Sequence, residues 1–152
     1  MTRIAIPTIT RPDVPNANGV VYSKNVWHKC ILDSQNRLIN NNILITIDGY
    51  SGEYMMHYCR SGFPKSKVIG HTTVLADNYI IADVYDEKKY RKIINMIHRG
   101  ELKAYMNYIG SIDHCDGDAY RYVDHIHHIV HFALGPAVPG STCDDLSKLL
   151  GK

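Results

Sequence analysis

Apolar positions along the chain fall mostly into short runs of β-branched and aromatic residues, and in one place only into a helical period. Val20, Val21, Tyr22, Val26, Trp27, Ile31 and Leu32 crowd one stretch that ends in Asp33-Ser34-Gln35-Asn36, which predicts a strand or hairpin closed by a turn. Ile43 to Ile47, closed by Asp48-Gly49, predicts a second strand, and Lys67 to Leu75 a third. Asp77-Asn78 then turns the chain into Tyr79 to Tyr85, which pairs with the preceding strand as a hairpin. Leu102 to Ile112 and Tyr122 to Leu134 are two more β-type stretches, separated by the polar loop from Asp113 to Asp118.

The helical period lies between Asp86 and Arg99, where Tyr90, Ile93, Ile94 and Ile97 follow an i, i+3, i+4, i+7 spacing. Asp86 suits the N-cap, Glu87 the positive end of the helix dipole, His98 and Arg99 the negative end, and Gly100 the stop. Residues 1–19, with Pro7, Pro12, Pro15 and Gly19, show no sustained period and predict an extended arm, disordered or laid across a neighbouring subunit. Residues 144–152 predict a tail or short helix, with Thr142 as a cap. Between them, residues 20–143 form the folded domain. The sum is an α+β architecture: a β-rich small barrel or curled sheet packed by one main helix.

Composition narrows the function classes. The 152 residues suit one domain, and 17 basic against 15 acidic residues leave a net charge of +2, too small for a nucleic-acid footprint or a polybasic membrane surface. No apolar run approaches the roughly 20 residues of a bilayer helix, and the N-terminus lacks the apolar core of an export signal. Cys30, Cys59, Cys115 and Cys143 contain no C-x-x-C pair, so they read as free thiols and no cofactor is expected. The 11 tyrosines are the one compositional excess that points outward: Tyr50, Tyr54, Tyr120 and Tyr122 lie in polar contexts and are candidate contact residues.

Two clusters invite a metal reading and neither sustains it. His125, His127 and His131 would share one strand face, with His128 on the other, but residues two apart on a strand lie about 7 Å apart, too far for His125 and His131 to share one ion. Asp113 to Asp118 has a calcium-loop look, yet His114 and Cys115 interrupt the oxygen ligands and Asp124 stands where a glutamate is needed. A hairpin turn explains it better. No G-x-G-x-x-G, Walker, H-E-x-x-H or G-x-S-x-G sequence occurs.

The order of these pieces resembles the prohead (head maturation) protease family of tailed bacteriophages, whose fold is similar to that of the herpesvirus capsid maturation proteases. The resemblance spans about residues 20–143. It is carried by Asp33 to Ile39, by His57 ahead of Val68-Ile69-Gly70-His71-Thr72, by the strand Tyr79 to Tyr85, by Ile93 to Ala104 and by His131 to Gly140. By that resemblance His57 occupies the place of the catalytic histidine and His131 the third triad position, while the nucleophilic serine falls on Met106. A thioether has no proton to yield and forms no acyl-enzyme, and Ser111 lies five residues further on, about 17 Å along the strand. Met106 then reads as a filler of core or interface, and His57 as a scaffold histidine.

The resemblance therefore implies a prohead-protease-like fold that is catalytically inactive: a capsid decoration or cement protein of the virion, assembled in the host cytoplasm. Its partner would be the major capsid protein, with self-association as a further contact. An active maturation protease and a non-catalytic internal scaffold component are the alternatives.

Overall fold

The computed structural model describes residues 1–16, 18–47, 65–116 and 120–137, with backbone alone for 113–116. Seven strands form one mixed sheet: β1 (Thr2–Pro7), β2 (Val20–Tyr22), β3 (Leu44–Thr46), β4 (Val68–Leu75), β5 (Tyr79–Val84), β6 (Leu102–Asp116) and β7 (Tyr120–Pro136). The helices are α1 (Lys24–Asp33), α2 (Gln35–Ile39) and α3 (Arg91–His98). Strands run in the order β1-β5-β4-β3-β7-β2, with β6 paired to the other edge of β7. The sheet curls until Thr8, just past β1, bridges to Ala104 in β6, yet among the described residues it does not close into a barrel.

The N-terminal segment corrects the expectation of an arm over residues 1–19. Thr2 to Pro7 pairs antiparallel with β5, Thr2 opposite Val84 and Pro7 opposite Tyr79, and buries Ile4 and Ile6. The T-R-I-A-I-P alternation is a half-buried edge strand, and Pro7 is tolerated because it stands at the strand's end. Val20 to Leu32 is corrected too. Only Val20–Tyr22 is strand, and α1 follows from Ser23, whose side chain accepts a hydrogen bond from the Val26 amide as an N-cap. Trp27, Cys30, Ser34 and Leu38 are buried at i, i+3, i+7 and i+11, so a helical stripe, not strand alternation, packs this region against β7.

Other expectations hold with shifted ends. β3, β4 and β5 fall where the apolar runs placed them, and β4 and β5 form the expected antiparallel hairpin. The main helix buries Tyr90, Ile93, Ile94 and Ile97, but its regular part starts at Arg91, five residues after Asp86. Asp86 instead caps a preceding turn, accepting from the Lys89 amide at 3.1 Å. Gly100, at φ 75°, closes the helix in a Schellman arrangement: its amide reaches the Ile97 carbonyl and that of Glu101 the Met96 carbonyl. The polar loop is shorter than expected, because β6 runs on to Asp116 and β7 begins at Tyr120. The tail or short helix expected over residues 144–152 lies outside the described residues.

Register defines the two faces of the sheet. Thr2, Val84, Gly70, Ile45, Phe132 and Met106 follow one another across β1, β5, β4, β3, β7 and β6 on the core face. Gly70 lets β4 approach β5 closely, since a Cβ there would stand 2.1 Å from the Asp83 carbonyl oxygen. The opposite face carries Arg3, Asp83, His71, Leu44, His131 and Asn107. Among the described residues, no helix is long and apolar enough to cross a membrane.

Candidate functional site

The long β6–β7 hairpin sets the chemistry of the non-core face. Asn107 stands directly opposite His131, both buried, and the Asn107 amide nitrogen lies 3.1 Å from His131 Nε2. An amide N–H donor fixes Nε2 as the acceptor nitrogen of the ring. His131, the expected third triad position, is thus fully enclosed and oriented by its cross-strand neighbour. Met106 is not part of this pairing. It registers with Phe132 and packs against the hydrophobic core on the other side of the sheet. The residue that the topology brings in front of His131 is Asn107, and pairing the two strands residue by residue is what reveals it.

Ser111 pairs with His125, on the same face as Asn107 but about 13 Å along β6 from it. It does not approach His131. His57, Tyr50 and Tyr54 lie outside the described residues. Tyr120 is 41% exposed at the start of β7, and Tyr122 is half-buried beside Val21 of β2, both toward the end of the hairpin away from His131.

The histidine run departs from simple alternation. In β7, Asp124, His127 and Val130 are extra residues with no counterpart in β6, so the phase of the strand resets at each. As a result His128 registers with Ile109 and takes the side of Asn107 and His131, contrary to the expected split. The bulge at His127 also brings its ring to 4.4 Å from that of His125, centroid to centroid. Burial and the nearby Arg37 guanidinium hold the His128 imidazole below its usual pKa. Among the described residues, no three His, Cys, Asp or Glu side chains converge to hold a metal ion.

A second polar array, which sequence reading did not single out, lies on the same face toward β1. Arg3 Nε and Nη2 donate to the two carboxylate oxygens of Asp83 at 2.8 and 3.1 Å. His71 Nε2 lies 3.5 Å from Asp83 Oδ2, and its Nδ1 lies 3.0 Å from the Tyr85 hydroxyl. The Arg3 hydrogen bonds pull the Asp83 carboxyl below its usual range despite opposing desolvation, while burial pushes the Tyr85 phenol up. The array ties β1, β5 and β4 together through charge-assisted bonds. Its sequence signal was the polar Asp83 and His71 inside otherwise apolar strands.

No protein-family description matches the sequence, and no curated protein does. Among solved structures, the fold is similar to that of the capsid assembly protease of bacteriophage T4, gp21, with a TM-score of 0.61 and 18% identity, covering 88% of this chain and 82% of that one. The chain carries the fold of a phage capsid assembly protease.

Proposed function

We propose that this chain is an accessory head protein of a tailed phage, a decoration or cement protein that keeps the maturation-protease scaffold and binds and stabilises the capsid shell without cleaving it. The observation that carries this reading is the Asn107–His131 pair. A carboxamide stands in front of the buried histidine, Met106 faces the core, and neither side chain offers the hydroxyl or thiol that acyl transfer requires. The partner would be the major capsid protein, met through apolar and tyrosine-bearing surface such as Tyr120, since a net charge of +2 supplies little long-range attraction. Residues 2–7 belong to the sheet and are not available as a strap across a neighbour.

Co-sedimentation with mature heads at low and high salt, together with a mass-spectrometric inventory of intact virions, tests the proposal. The intact chain in virions and salt-insensitive binding support it. Absence from virions with no binding to heads refutes it and favours an internal scaffold role, and covalent labelling by a serine-directed fluorophosphonate, lost on mutating one serine, favours an active protease.

A further inference from the structure

Strand β6 is the outer strand of the long hairpin. Its inner edge is paired with β7 throughout, whereas its outer edge is met by the segment after β1 at Ala104, through the Thr8 bridge and the Ile9 amide at 3.0 Å. From Tyr108 to Ile112 no strand among the described residues takes up that edge. Three features mark it as built for pairing. From Ala104 to Ile112 there is no charged residue and no proline, the devices that commonly blunt an open edge. Three of the four irregularities of the hairpin add their extra residue to β7, so β6 alternates regularly from Leu102 to Ile112. Ile109 and Ile112 stand 50% and 46% exposed on it.

We propose that this edge joins two copies of the chain, β6 against β6 in antiparallel register, about a two-fold axis at Gly110. Such an axis runs perpendicular to the sheet and preserves the face each side chain takes, so facing residues must be an even number of positions apart. With the axis at Gly110, Tyr108 faces Ile112 of the second copy, an aromatic and β-branched cross-strand pair. Ile109 faces Ser111 and lies diagonal to the other Ile109, about 7–8 Å away. Gly110 faces itself, leaving no side chain at the crossing. Moving the axis to Ser111 would oppose Ile109 to Asp113, and moving it toward Leu102 would run the second strand into Thr8 and Ile9. The open stretch is therefore symmetric about the residue that best suits the axis. A contact this short lies at the small end of protein interfaces, so the dimer is concentration-dependent.

Sedimentation velocity of the full chain over a concentration series tests the proposal: the mass should rise from 17.2 kDa toward twice that value, and I109K/I112K should stay at 17.2 kDa at every concentration with an unchanged melting temperature. Register is read by cross-linking in a background with Cys59, Cys115 and Cys143 replaced by serine. Facing Cα atoms in an antiparallel pair lie about 4.5–5.5 Å apart, within disulfide reach, so I109C/S111C should oxidise to a covalent dimer. The diagonal separation leaves I109C alone and S111C alone monomeric under the same conditions. A mass that stays at 17.2 kDa with no cross-link, a dimer that survives I109K/I112K, or equal cross-linking by the single variants overturns the proposal.

Discussion

Replacing Ile6 with alanine asks whether the N-terminal segment is a structural strand. Ile6 is fully buried, directly opposite Ile80 in β5 and in the same core as Ile4 and Ala82. The substitution removes three carbons, about 2.4 kcal/mol of transfer free energy at roughly 0.8 per methylene, before the cavity left behind is counted. Incomplete collapse around that cavity brings the expected loss to about 2–5 kcal/mol, or a fall of about 4–20 °C in melting temperature for a chain of this size. The control is Ala5→Ser, an exposed position on the other face of the same strand, expected to change stability by less than about 0.5 kcal/mol. Urea unfolding followed by tryptophan fluorescence reports on Trp27, buried in α1, and so on the whole domain. A fall in midpoint with an unchanged slope is the expected result. Equal behaviour of the two variants would refute the reasoning and return residues 2–7 to the status of a detached arm.

The same physics makes Ile93→Ala, a fully buried position on α3, cost about 2–5 kcal/mol in urea unfolding. Asp83 has a carboxyl pKa held down in the folded state by Arg3, so its stabilising effect is complete above the unfolded value of about 3.9 and is lost as pH falls through the folded one. Asp83→Asn should therefore be less stable than the parent at neutral pH and show a shallower decline on acidification below about pH 4; parallel pH curves would count against the Arg3 bond. Met106→Ser should gain no fluorophosphonate labelling because its hydroxyl would enter the core, whereas Asn107→Ser places one opposite His131, making it the variant in which labelling should first appear. Labelling of Met106→Ser alone would invalidate the assignment of faces.

How much of this was legible in the sequence follows from the range of the interactions involved. The β4–β5 hairpin and the Tyr90, Ile93, Ile94, Ile97 stripe are local patterns; the hairpin was read in the right place, and the stripe with the right buried residues. α1 was legible in principle, through Ser23 as a cap and the spacing of Trp27, Cys30 and Leu38, but Val26, Trp27 and Ile31 carry β-propensity that tertiary packing overrides. In the first segment Pro7 and Pro12 masked a three-step alternation that ends before them or at them. The Asn107–His131 pair depends on strand register, which three unpaired residues in β7 reset, and no one-dimensional count contains that information. Met106 was reached by counting along β6 alone, which gives position but not side.

The pairing of Thr2 with Val84 has a consequence for how the molecule is made. Strand β1 has its partner about 80 residues downstream, so at roughly 5–20 residues per second it waits on the order of 4–16 seconds for β5 to be translated. During that interval Ile4 and Ile6 are displayed without cover, next to a chain that has completed α1 and α2 but still lacks β7, the strand against which α1 packs. These strands cannot mature in chain order; β1 is held in reserve and must be brought back beside β5, where Arg3 meets Asp83. Nascent chains stalled before β5 should accordingly be the species that chaperones retain.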